Sequence, residues 1–160
     1  MNPFNDESAA GSGEKLARFE VLSGRLVVAD PVYLTNKALA VVIANAKPGR
    51  WLAALARESS VGHYVSSVMA FHDSELNRDG AIDRELVRKV GVDTARVCFV
   101  DSRSINCYQN SESSLDLKSD RFGLTVPSGF GDGIYPVCVR EHAGQAVSVR
   151  IVFIDTEGEK

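Results

Sequence analysis

The chain has little cysteine, no long apolar run and no concentration of positive charge, and each shortage removes a class of protein. Three cysteines in 160 residues, Cys98, Cys107 and Cys138, are odd in number and show no CxxC spacing. That pattern supports neither a disulfide framework nor a zinc site, and buried thiols are the expectation. No apolar stretch approaches bilayer thickness, and the opening MNPFNDESAAGSGEK has neither the basic nor the apolar part of a secretory leader. The expected address is therefore cytoplasmic, without membrane contact. Eighteen Lys and Arg are scattered against 21 Asp and Glu, a net charge of -3. No basic field for nucleic acid results, and DNA or RNA is not an expected partner. No internal repeat is visible.

What is present is enough apolar material, 44% of residues, for one core. Residues 1–14 are small, polar and Gly/Ser-rich, the composition of a flexible tail, so the expected division is a tail over 1–14 and a single β-rich domain over 15–160. LARFEVLSGRLVVADPVYL reads as two strands around Ser23-Gly24, either a hairpin or a strand pair, with Asp30-Pro31 ending the second. Residues 37–47 stay open between helix and strand: alanine favours the first, and Val41, Val42 and Ile43 the second. VGHYVSSVMAFH looks extended. DGAIDRELVRKVGVD reads as a helix, with Ile82, Leu86 and Val90 at spacing four and Gly91 as a stop. ARVCFVDS and RFGLTV follow as short strands. The last apolar segment is a hairpin turning at Gly144, with Val147, Val149, Ile151 and Phe153 alternating onto one face. The fold class is mainly β, bordering on α+β: a single-domain antiparallel sandwich or strongly curved sheet with one or two short helices.

Motifs that carry chemistry are incomplete. VPSGFGDGIYPVCV holds Gly129, Gly131 and Gly133 but lacks the Lys-Ser/Thr and the following helix of a phosphate loop. Those glycines are expected to permit positive φ in a bulged loop leading into the Tyr135 strand, presenting Asp132 beside the strand ends that carry Asp30 and Asp101. ELNRDGAIDREL matches a calcium loop at Asn77, Asp79, Gly80, Ile82 and Asp83 but fails at Glu75 and Leu86, the first and twelfth positions. Asp79 and Asp83 are thus weak metal candidates, set against the simpler role of capping the helix. There is no GxSxG elbow and no HExxH helix to engage His63, His72 or His142. In VCFVDSRSINCYQ, Asp101 and Ser102 close a strand, a position where sites and ordinary turns both occur.

VADPVYL, KPGRWLA, VSSVMAFHD, VGVDTARVCFVDS, VPSGFGDGIYPVCV and VRIVFID together resemble the bacterial domain-of-unknown-function family numbered 4241, over roughly Arg25 to Asp155. SGFGDGIYPV is the most specific part. Arg103 stands where that family has glycine after V-D-S. The resemblance implies a mostly β, intracellular bacterial or phage-associated domain, and it favours an extended KPGRWLAALARES beyond Pro48. It brings no activity.

The functional expectation is an intracellular binding module that recognises a protein or small-molecule ligand through strand-end loops, as an immunity, adaptor or sensor protein would. The candidate residues are Asp30, Asp101, Ser102, Asp132 and Tyr135, with no cofactor expected. The alternative is a metal-dependent or acid-base hydrolase in which Asp30, Asp101 and Asp132 converge with His72.

Overall fold

Alternation of apolar residues builds two antiparallel sheets whose inner faces share one core. A computed structural model describes residues 16–58, 64–76, 82–107, 118–129 and 131–154. The expected tail, His63 and Asp79 lie outside the described residues. The strands are β1 (Leu16–Val21), β2 (Leu26–Ala29), β3 (Val41–Ile43), β4 (Gly49–Glu58), β5 (Tyr64–His72), β6 (Arg84–Val92), β7 (Arg96–Asp101), β8 (Lys118–Asp120), β9 (Gly123–Pro127), β10 (Gly133–His142) and β11 (Gln145–Val152). One sheet has six strands in the order β1-β4-β5-β11-β10-β6, the other five in the order β3-β2-β7-β9-β8. This is the expected mainly β sandwich. Among the described residues there is no α-helix, and Pro31–Tyr33, Asp73–Glu75 and Ser102–Cys107 are short 3-10 turns.

Phe19, Trp51, Ala70, Val137, Val149 and Ile151 of the larger sheet pack against Leu26, Val28, Phe99, Leu124 and Val126 of the smaller one. Each Val, Leu, Ile or Phe side chain among them removed from water contributes about 1.5–3 kcal/mol before entropy is counted. The smaller sheet is covered on its outer face too, where Val27, Ala29, Cys98 and Val100 meet Leu34 and Ala40. Burial on both faces explains why LVVA and RVCFVD are apolar nearly throughout rather than alternating. Cys98 is fully buried, as expected of the thiols, whereas Cys138 is half-buried on the larger sheet.

Three readings from the sequence change. The segment expected to be helical is β6, paired with β10 from Gly133↔Val92 to Glu141↔Arg84. Its spacing-four pattern is coincidental: Leu86 and Val90 reach the core by alternation, and pairing with β10 overrides helical propensity. Asp83 consequently precedes a strand and caps no helix. β1 and β2 are bounded as expected but do not pair with each other; β1 joins β4, while β2 lies between β3 and β7, so Ser23-Gly24 carries the chain from one sheet to the other. In the open 37–47 segment, Val41–Ile43 is strand and no helix forms. The extended reading of GRWLAALARE holds as β4, and the terminal hairpin turns through Ala143 (φ 54°) and Gly144 (φ 79°).

Candidate functional site

The carboxylate of Asp30, directly after β2, is completely buried and filled with donors. Proline at position 31 stops the ladder, and Asp30 caps the turn that follows by accepting from Val32 N at 2.9 Å. It also accepts from Asp93 N at 2.7 Å, Thr94 N at 2.6 Å and Thr94 Oγ1 at 2.9 Å. Four donors around one carboxylate clamp the Pro31–Tyr33 turn to the β6–β7 connection, leaving Asp30 nothing to offer a ligand.

The groups that Asp30 holds in place face solvent. The Tyr33 hydroxyl donates to the exposed Asp93 carboxylate. That hydrogen bond, with burial and the negative charges of Asp93, Asp30 and Asp132 behind it, raises the Tyr33 pKa above its ordinary value. Asp132, exposed on the glycine loop, accepts from Ala95 N at 3.1 Å, so it joins the same end of the sandwich. Val32, 57% exposed, adds an apolar rim.

The glycine loop is folded onto itself rather than around an anion. Ser128 Oγ and Tyr135 OH both donate to the Gly131 carbonyl at 2.7 Å, and Gly131 N donates to the Ser128 carbonyl at 3.1 Å. Tyr135 lies edge-on against Phe153, with ring centroids 5.1 Å apart. Its role is to brace the loop, and burial raises its pKa, with Asp132 adding to the effect. The sharpest glycine requirement is at Gly129, where φ is +66° and a Cβ would come within 2.9 Å of Phe153 Cβ and 3.0 Å of the Val65 carbonyl.

Asp101 serves a second clamp at the opposite end. Leu26 pairs with Asp101 while Ala29 pairs with Cys98, so Asp30 and Asp101 end antiparallel neighbours in opposite directions, about 14 Å apart along the strands. Asp101 accepts from Ser23 Oγ at 2.7 Å, Ser23 N at 2.9 Å and Arg103 N at 3.0 Å. Burial pushes its pKa up, but donation from Arg103 N and from both Ser23 groups outweighs burial and holds the carboxyl below its ordinary value. Ser102 Oγ stands 3.4 Å from Ser23 Oγ.

His72 belongs to the Asp101 end. A Cβ on Gly24, next to Ser23, would meet Pro48, whose carbonyl is 2.9 Å from His72 Nε2. Nδ1 accepts from Ser74 N at 3.1 Å, so Nε2 is the nitrogen that donates to Pro48. Buried at 7% exposure against Trp51, His72 is used up as a structural cap.

The sequence candidates therefore divide in two: Asp30, Asp132 and Tyr135 at one end, Asp101, Ser102 and His72 at the other. The convergence of Asp30, Asp101 and Asp132 on His72 is absent from this geometry. Asp83 stands apart from both, accepting from Ala143 N at 2.7 Å beside the terminal hairpin turn. No group of three or more metal-ligating side chains occurs among the described residues. Sequence reading missed Asp93, Thr94, Tyr33 and Ser23. The Asp-Thr turn signal was available in VGVDTARV, but the helical reading of the preceding segment hid its place as the connection between two strands. Comparison with protein-family models, with curated proteins and with solved structures found no match.

Proposed function

We propose that this chain is a binding module that recognises a cationic group, on a protein surface or a small molecule, through the loop end where Tyr33, Asp93 and Asp132 face solvent. The observation that carries this reading is the buried Asp30 clamp. By saturating its own carboxylate on two loops, it pre-organises the Asp93 carboxylate and the Tyr33 phenol without contributing an exposed charge itself, and Asp132 joins them through Ala95 N. Exposed acidic groups on fixed loops attract positive charge in a salt-dependent way. A polar body with Val32 at its rim suits a guanidinium or ammonium carried on an apolar stem. Immunity, adaptor and sensor roles in a bacterial cytoplasm are compatible with such a site. Acid-base hydrolysis would have to rely on Asp93 and Asp132 without Asp101 or His72.

The test is a titration with a short arginine-rich peptide, followed by amide NMR. Chemical-shift changes should concentrate at Asp93, Ala95 and Asp132, weaken with added salt and weaken again in Asp93→Asn and Asp132→Asn. Shifts that are scattered over the surface, or unchanged in the double variant, would remove the proposal.

A further inference from the structure

The larger sheet ends in β6, and among the described residues no strand pairs with the outer edge of Arg84–Lys89, where the Arg88 guanidinium reaches across to the Val42 carbonyl at 2.8 Å. Gly91 N donates away from β10 to the Leu39 carbonyl, at 3.1 Å. In a regular antiparallel ladder the direction of N–H and C=O alternates, so Lys89, Val87 and Glu85 also point theirs away from β10. Pro136 supports this independently: it is the register partner of Lys89 and has no N–H, so the two cannot form a doubly hydrogen-bonded pair. Arg84, Glu85, Val87, Arg88 and Lys89 are exposed, and Val87 is 66% accessible, one of the largest apolar exposures among the described residues. Beyond them the edge closes where Leu39 meets Gly91.

An open edge of this length is a template for another strand, and charges along it discourage most partners. Here the charges favour one register with a second copy. Only residues whose backbone groups point outward can face each other, which limits two-fold antiparallel pairing to even-numbered shifts. Centred on Val87, the pairing sets Glu85, whose Oε2 accepts from Arg140 Nε of β10 at 2.8 Å in a bond that leaves Oε1 for the seam, against Lys89 of the second copy and Lys89 against its Glu85, with Val87 on Val87 between them. Arg84 then faces Val90, and Arg88 faces Leu86. Moving the centre to Leu86 puts Arg84 against Arg88, and moving it to Arg88 puts Arg88 against itself. Opposite charges directly across a ladder stabilise and like charges destabilise.

We infer that β6 is a self-recognition edge through which two copies of this chain pair antiparallel about Val87, extending the six-stranded sheet across a two-fold axis. The seam covers few residues, so the product is a concentration-dependent dimer rather than an obligate one. This surface is separate from the Asp93–Asp132 end, and either proposal can fail without the other.

Sedimentation velocity on the full chain, from low to high micromolar concentration, tests it. Wild type should shift from monomer to dimer. Lys89→Glu turns both charge pairs repulsive and should weaken dimerisation about tenfold or more. Glu85→Lys combined with Lys89→Glu, and with Arg140→Glu to keep an opposite charge beside position 85 within the sheet, restores opposite charges across the axis and should recover it. Val87→Pro removes an outward N–H that β10 does not use and should abolish dimerisation with the fold retained, as judged by circular dichroism. If that variant fails to fold, the exposed charge variants still decide. A chain that is monomeric at every concentration, or a dimer indifferent to the charge reversal and its rescue, overturns the inference.

Discussion

Two buried aspartates, Asp30 and Asp101, end neighbouring strands of the smaller sheet in opposite directions, and each ties two loops together. They differ in what they hold. Asp30 fixes the turn bearing Tyr33 and the connection bearing Asp93, so one clamp stands behind a set of exposed acidic groups. Asp101 fixes the Ser23 crossover and the Arg103 turn, and the side chains around it are hydroxyls and the capped His72. A strand-end aspartate is therefore not evidence of a site in itself: what matters is whether its oxygens are already spent and what its partners present to solvent.

The largest expected effect tests the clamps directly. Asp30→Ala leaves three backbone N–H groups and the Thr94 hydroxyl without their acceptor, a loss of about 3–5 kcal/mol in urea unfolding. Asp101→Ala removes the acceptor of two backbone N–H groups and one hydroxyl and should cost about 2–4 kcal/mol. The comparison breaks if Asp30→Ala is harmless, since its carboxylate would then be free for function rather than consumed by structure.

Next in size is the glycine loop. Gly129→Ala forces a Cβ against Phe153 and the Val65 carbonyl at a left-handed φ, with an expected loss of about 3 kcal/mol. Gly131→Ala, at φ +123° with Ala95 Cβ no nearer than 3.9 Å, carries backbone strain without a clash and should cost about 1–2 kcal/mol. Thermal unfolding of the two variants gives the order; a reversal would mean that the loop takes another path.

These positions also show what could be read in the sequence. Sandwich architecture was legible because alternation marks strands wherever one face is wet, as where exposed Arg150 lies between buried Val149 and Ile151 in β11. The expected alternation stops at Val147, where a bulge against β10 brings Ala146 into the core with Val149 instead. It failed in β6, where Ile82, Leu86 and Val90 satisfy a helical spacing as well, and only pairing with β10 decides. At the candidate site, Asp132 on a permissive loop was legible from its glycines. The division between the two clamps was not, because the direction in which β2 and β7 end is a property of their pairing and of no single residue. Misreading β6 then concealed Asp93 and Thr94, which complete the Asp30 end.

A smaller effect tests the Asp101 clamp by pH. The Asp101 carboxyl titrates below its ordinary value in the folded protein, so it contributes stability above the unfolded pKa of about 3.9, and this is lost as pH falls through the lower folded value. Asp101→Asn should thus be less stable than wild type at neutral pH, with the gap narrowing below about pH 4. A gap that is constant across the acid range would show that the charge of Asp101 is irrelevant and that its shape as an acceptor suffices.

The smallest effects on stability are expected where the proposed binding role is greatest. In Asp93→Asn and Asp132→Asn the amide oxygen can still accept from Tyr33 OH and Ala95 N, so each fold should change by no more than about 0.5 kcal/mol. What the substitutions remove is charge, and Tyr33 reports it from inside the same cluster. Its hydroxyl is held above the ordinary phenol value first by the hydrogen bond to Asp93, then by burial, then by the surrounding carboxylates, with Asp132 the last of these. Followed by NMR of the Tyr33 ring, the titration should therefore move down in both variants, further in Asp93→Asn, which weakens the hydrogen bond and removes the nearest charge together. Equal movements would make Asp132 as close a neighbour of the phenol as Asp93. No movement in Asp132→Asn would separate the glycine loop from the Tyr33–Asp93 pair and reduce the binding end to the two loops that Asp30 clamps.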